Sequence, residues 1–150
     1  MIRELRKTDV EYVAKIWLDT NIKAHDFIPA EYWKSNFAFV KEMFLQAEIY
    51  LYEEEKTRQI LGFVGLNGNY IEGIFVRDKA QSCGIGRKLL DFVKERKCSL
   101  KLSVYQKNAR AIQFYEREGF QMVSEGVDEV TGEKEYVMVW ERLSYSNIIG

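Results

Sequence analysis

The stretch Ile74-Phe75-Val76-Arg77-Asp78-Lys79-Ala80-Gln81-Ser82-Cys83-Gly84-Ile85-Gly86-Arg87-Lys88-Leu89-Leu90 decides how the rest of the chain is read. An apolar strand enters a polar loop with two glycines, and the loop opens directly into an amphipathic helix. Such a loop aims several backbone N–H groups at one point, and the positive end of the helix dipole adds to them, which suits an anion. Gly84 and Gly86 allow close approach because no Cβ intervenes, and Arg87 and Lys88 bring side-chain charge. A dinucleotide fingerprint would carry a third glycine where Leu89 stands. A P-loop would end in Gly-Lys-Ser/Thr, which Gly86-Arg87-Lys88 does not supply. A pyrophosphate-bearing carrier such as coenzyme A remains, beside the plain alternative of a strand-to-helix turn that uses glycine for tightness.

Upstream of this stretch the pattern reads strand, helix, helix, then three meandering strands. Ile2 to Leu5 is a short strand, and Thr8 with Glu11 fits a capping box ahead of a helix carrying Val10, Val13, Ile16 and Trp17. Lys23 to Phe27 reads as a loop. Pro29 suits the first turn of a second helix that runs through Trp33, Phe37, Val40, Phe44 and Leu45. Glu48 to Glu53 and Ile60 to Leu66 are strands joined by a charged turn. Asn67-Gly68-Asn69 is a hairpin turn into Tyr70 to Val76. Downstream, Gly84 to Glu95 is a helix with one apolar stripe. Ser99 to Tyr105 is a strand, Asn108 to Glu118 a helix, and Phe120 to Val123 and Tyr136 to Trp140 are the last strands. The expectation is one α/β (α+β) domain over residues 1–150. It has a mixed, mostly antiparallel sheet of about seven strands and four flanking helices, with 142–150 as a tail.

Composition narrows the function classes. The 150 residues suit a single domain. With 22 Lys and Arg against 23 Asp and Glu, no excess of positive charge is available for gripping nucleic acid. Cys83, Cys98 and a lone histidine, His25, make neither a disulfide framework nor a zinc-ligand set, so no metal is expected. No secretion signal and no apolar run long enough for a membrane span is visible, which reads as a reduced cytoplasmic protein without membrane partners.

At Gln81-Ser82-Cys83-Gly84-Ile85-Gly86 the chain resembles the GCN5-related N-acetyltransferase (GNAT) superfamily, whose signature is Gln/Arg-x-x-Gly-x-Gly/Ala between its fourth strand and third helix. Asn108-Ala109-Arg110-Ala111-Ile112-Gln113-Phe114-Tyr115-Glu116-Arg117-Glu118-Gly119-Phe120 is similar to the family's second conserved block. Together with the element order, the resemblance spans about residues 1–142. It implies acetyl transfer from acetyl-CoA, as cosubstrate, to a primary amine by direct attack in a ternary complex. The amine is that of a small molecule, a peptide or a protein, and a homodimer is possible for the family. The alternative is a non-catalytic acyl-CoA sensor or scaffold on the same fold.

The resemblance also implies roles. Backbone N–H groups from Gln81, Ser82, Cys83, Gly84, Ile85 and Gly86, with Arg87 next in line, would hold the pyrophosphate. Ile74, Phe75 and Val76 would pair with the pantetheine arm, and the Val76 N–H would polarise the thioester carbonyl. Asn108 is a good helix N-cap in its own right, and the family adds a hydrogen bond to the pantetheine or acyl region. Tyr115 is either a buried core tyrosine or, by resemblance, the general acid that protonates the departing thiolate. Glu72, two residues before Ile74 and so expected on its face of the strand, is a proton acceptor or a solvent-facing glutamate. His25, in a His-Asp-Phe loop like that of some small bacterial acetyltransferases, is a second candidate catalytic residue bordering the acceptor, since a lone histidine titrates near neutrality and suits acid–base work, or it is a surface residue. Trp33, Tyr32, Phe37 and Tyr105 read as core, Cys98 as structural, and Cys83 as without a covalent role.

Overall fold

The computed structural model describes residues 1–143. Seven strands form one sheet: β1 (Ile2–Glu4), β2 (Glu48–Glu53), β3 (Ile60–Asn67), β4 (Tyr70–Val76), β5 (Ser99–Tyr105), β6 (Gln121–Val127) and β7 (Lys134–Glu141). Their order across the sheet is β1-β2-β3-β4-β5-β7-β6, and the β4–β5 neighbours are the one parallel pair among the described residues. Five helices flank it: α1 (Val10–Ala24), α2 (Ala30–Ser35), α3 (Phe37–Phe44), α4 (Ile85–Lys94) and α5 (Ala109–Arg117). Among the described residues, no helix is long and apolar enough to cross a membrane.

The centre of the sheet is buried on both faces, which is why β3 reads as a continuous apolar run. On one face Val64, Leu66, Ile71, Leu102 and Met138 meet Leu89, Leu90 and Val93 of α4. On the other, Ile49, Leu51 and Phe63 meet Val13 and Ile16 of α1.

Four local readings are corrected by the structure. The expected second helix is two, so the helices number five rather than four. The Asn36 side-chain amide donates to the Tyr32 carbonyl at 2.7 Å, and its own backbone N–H turns to Trp33 instead, interrupting the ladder. The Thr8–Glu11 capping box is not made. Asp9 accepts from the Arg6 backbone N–H (2.8 Å) and pairs with Arg3 (2.8 Å), while Glu11 reaches across to Lys41 (3.0 Å). β6 runs to Val127, four residues beyond expectation, as an exposed edge. Arg142 is no loose tail: its N–H donates to Cys98 (2.8 Å) and its guanidinium to Lys97 (3.1 Å). The remainder of the expected tail, 144–150, lies outside the described residues.

Two features of β4 set up the site. It pairs with β5 only at Tyr70↔Lys101 and Ile71↔Leu102, so the strands part below Ile71. It also bulges against β3, where Gly65 pairs with Gly73 but Leu66 with Ile71, leaving Glu72 as the extra residue. At the far end of this ladder Gly62 faces Val76, and a Cβ on Gly62 would lie 2.7 Å from the Phe75 carbonyl oxygen and 3.4 Å from Ile85. The Gly62→Ala substitution should therefore force β3 off β4 beside the glycine loop. Urea unfolding should show a loss of about 1–3 kcal/mol, the range for overpacking.

Candidate active site

A cleft of about 1690 Å³ opens where β4 and β5 separate, lined by Ile74 and Val76, the loop Arg77–Gly86, α1 and the first turns of α4 and α5. Backbone direction along β4 is fixed by the Arg77 N–H, which donates to Leu61 of β3 at 2.8 Å. Strand groups alternate sides, so the Val76 N–H and C=O point away from β3, toward the opening. The Val76 carbonyl is taken by the Gln81 side chain at 3.1 Å.

The loop turns its N–H groups outward by two left-handed residues, Ser82 (φ 66°) and Gly84 (φ 81°), and a Cβ at Gly84 would meet nothing within 4 Å. The first loop-to-helix bond is Lys88 N–H to Gly84. The Gln81 N–H, expected in the cradle, is instead taken by the Asp78 carbonyl at 3.3 Å, whereas among the described residues no protein acceptor takes the N–H groups of Ser82 to Arg87. These donors lie at the positive end of α4. Gly86 lies against Phe114 of α5, whose ring would sit 3.4 Å from a Cβ there.

Arg110, quoted above in the second block but given no role there, holds this loop from α5. Its guanidinium donates to Gln81 Oε1 at 2.8 Å and to Ser82 Oγ at 3.3 Å. A cue was available: a basic residue in the first turn of a helix opposes the dipole and calls for another reason to be there. The cleft as a whole carries four lysines and four arginines against four carboxylates, although the chain has a net charge of −1. An N–H cradle, a basic wall and an open strand edge together fit a pyrophosphate-bearing thioester such as acetyl-CoA. Arg87 is mostly exposed and only loosely paired, at 3.8 Å from Glu118 and 3.9 Å from Asp91. Cys83 and Cys98 are both exposed free thiols, so Cys98 has no buried structural role.

Tyr115 lines the same cleft and is otherwise buried, packed between Phe114 and Phe120. Burial pushes its phenol pKa well above the ordinary value, so it is held protonated. Glu72 departs from expectation. Ile71 and Ile74, three residues apart, both pack on the α4 face, while Phe75 packs on the α1 face. The bulge thus breaks the two-residue alternation. Glu72 lies beside Gly65 and Ile49, on the α1 face and not on that of Ile74. Burial raises its carboxyl pKa.

His25 is at the C-terminal end of α1, stacked on Trp33 (5.4 Å, 27°) and edge-on to Phe27 (5.7 Å) and Tyr105 (5.1 Å). Its Nε2 is 3.2 Å from the Asn108 side-chain nitrogen, and burial lowers the imidazole pKa. Asn108 caps α5 by accepting from the Ala111 N–H at 3.2 Å. The α1–α2 loop is therefore closed over the N-terminus of α5. Tyr105 joins it to the β6–β7 hairpin by donating to Asp128 at 2.6 Å. Among the described residues, no group of three His, Cys, Asp or Glu comes together to hold a metal ion.

If Arg110 braces the cradle, Arg110→Met should weaken coenzyme A binding about tenfold, near 1.4 kcal/mol, in calorimetric titration. An unchanged affinity would show that Gln81 and Ser82 hold their places without it.

Residues 46–122 match the Acetyltransferase (GNAT) domain family. The chain is 34% identical over 142 residues, 93% of its length and 96% of the relative's, to the peptidyl-lysine N-acetyltransferase YiaC of Escherichia coli K12. It is 27% identical over 121 residues to the peptidyl-lysine N-acetyltransferase YjaB of the same organism, covering 81% of this chain and 82% of YjaB. The solution structure of apo YjaB from E. coli superposes with a TM-score of 0.82 at 26% identity, over 93% of this chain and 95% of YjaB. The fold of the PaiA N-acetyltransferase of Thermoplasma acidophilum, solved in complex with coenzyme A, also matches, with a TM-score of 0.79 at 18% identity over 95% and 98% of the two chains. With the signature loop, the divergent strands and these relatives in agreement, the chain belongs to the GNAT family of N-acetyltransferases.

Proposed function

We propose that this protein transfers acetyl from acetyl-CoA to the side-chain amine of a peptidyl lysine by direct attack within a ternary complex. The observation that carries the reading is the single cleft in which the open edge of β4, the N–H cradle of Ser82 to Arg87 and the Tyr115 side chain all meet. The likeness to YiaC, a peptidyl-lysine N-acetyltransferase, supports the choice of acceptor.

The chain's own groups divide the work. The N–H groups of Ser82 to Arg87, backed by Arg110, bind the pyrophosphate and fix the cosubstrate along the cleft. The edge of β4 from Ile74 to Val76 pairs with the extended arm as a further strand would. The Val76 N–H, aimed toward the opening, donates to the thioester oxygen as negative charge develops there. Glu72, on the α1 face with a raised carboxyl pKa, takes the proton that the lysine ammonium must lose before it attacks. The nitrogen then forms its bond to the acetyl carbon and the carbon–sulfur bond breaks. Tyr115 gives its proton to the leaving thiolate and is reprotonated from solvent. Asn108 borders the cleft at the α5 N-terminus and orients the acyl end of the arm.

With a lysine-containing peptide, the wild type should consume acetyl-CoA and release free thiol in step with acetyl-lysine formation. Tyr115→Phe should lower kcat by roughly 10²-fold or more while leaving coenzyme A affinity within about twofold. Normal turnover by the Phe variant would remove Tyr115 as the acid. Tight coenzyme A binding without thiol release on any amine would point to an acyl-CoA sensor instead.

A further inference from the structure

His25 and Asn108 meet although 83 residues separate them, and the chemistry of the contact is fixed by its surroundings. Asn108 Oδ1 accepts from the Ala111 N–H, so the atom it turns toward His25 is the Nδ2 amide, which only donates. His25 Nε2 must therefore accept, and the imidazole proton belongs on Nδ1. Nδ1 is buried without a well-formed hydrogen bond, and the backbone group that acts on the ring is the Asn21 carbonyl, one turn earlier in α1, which suits a protonated nitrogen. Three rings, Trp33, Phe27 and Tyr105, hold the imidazole in this orientation. An Nε2 engaged by a donor has no lone pair to offer an incoming ammonium.

From this geometry we propose that His25 is a positioning residue and not a base. As a neutral imidazole it receives the Asn108 amide, registering the α1–α2 loop on the acceptor side against the α5 N-terminus on the cosubstrate side. The α1–α2 loop and the second conserved block thereby set one another's place through a single hydrogen bond. This assignment rests on the ternary-complex reading above, yet it makes a statement about the resting protein that needs no turnover.

Two measurements test it. The chain has one histidine, so a long-range ¹H–¹⁵N correlation spectrum of the uniformly labelled full chain reports His25 without ambiguity. At pH 7.5 we expect Nδ1 as the protonated nitrogen and Nε2 as the unprotonated one. A proton on Nε2, in either the neutral ring or the imidazolium, overturns the proposal. The second measurement compares His25→Phe, which keeps a ring in the stack, with His25→Gln, whose amide oxygen reaches to the Nε2 position. His25→Phe should lower kcat/KM for a lysine peptide about tenfold, the scale of one hydrogen bond left unmade, through a higher peptide KM. His25→Gln should recover to within about threefold of wild type, because it can accept the Asn108 N–H but cannot take a proton. Equal impairment of both variants, or none in His25→Phe, overturns the assignment. A wild type that acetylates no lysine peptide would overturn the transferase reading, and the spectrum would still decide the tautomer.

Discussion

The parting of β4 from β5 is the constraint on which the rest of the structure depends. Two parallel strands that pair for only two residues leave a length of sheet edge in the middle of the fold, where an edge is otherwise removed by the next strand. The backbone groups of Ile74 and Val76 on that side have no β5 partner. A protein that keeps such groups near its core must satisfy them or use them. Here one of the two Val76 groups is satisfied internally, by the Gln81 side chain, and the other is left facing the cleft. Gln81 is thus both the first residue of the signature and the clamp that folds the loop back onto the strand it leaves.

Everything that defines the cleft can be followed from that opening. The loop must reverse over a short distance to bring α4 against β3, and it does so with left-handed Ser82 and Gly84. A serine in that conformation is costly, and its hydroxyl is held by Arg110 from α5. Gly62 lets the start of α4 sit close over β3, since a side chain there would meet both the Phe75 carbonyl and Ile85. The loop is thus held by α5, through Arg110, and by β4, through the Gln81–Val76 bond, and these contacts place its N–H groups in the free protein. Preorganised donors of this kind do not lose orientational freedom at the moment charge develops.

The fold and half of the site were legible in the sequence because their determinants are local. The glycine loop, the Asn108 cap, the hairpin at Gly68 and the apolar stripes each depend on residues a few positions apart. What was misread depends on contacts that are not local. Glu72 was expected beside Ile74 because strands alternate, but the bulge is set by how β3 and β4 come into register, and no residue type announces it. Thr8 and Glu11 have the spacing of a capping box, yet Arg3 draws Asp9 into the turn and Lys41 draws Glu11 away. Asn36 is the exception, since its helix is broken by a local side-chain bond to Tyr32, four residues back, that competes with propensity. Trp33 and Tyr105 were read as core, but only Trp33 is buried, Tyr105 being half-buried, and the ring both pack against is His25.

The charge balance shows the same division between global and local. A chain with a net charge of −1 has no general attraction for an anion, and its composition gives no hint that a basic wall exists. The wall is made by topology: α1, the signature loop and the starts of α4 and α5 converge on one side of the split sheet, and each brings its cations there. The side that the proposed function would give to the acceptor is built differently, from Phe27, Trp33 and Tyr105 around His25, with Asp128 beyond them. In the proposed reaction the two partners would thus meet opposite environments, one basic and rich in N–H donors, the other aromatic and edged by carboxylate. In that reaction a polyanionic donor and a cationic acceptor would be sorted to their own sides before they are brought together. Low overall charge is compatible with this, because the sorting depends on fields that decay within about a Debye length, near 8 Å at physiological salt.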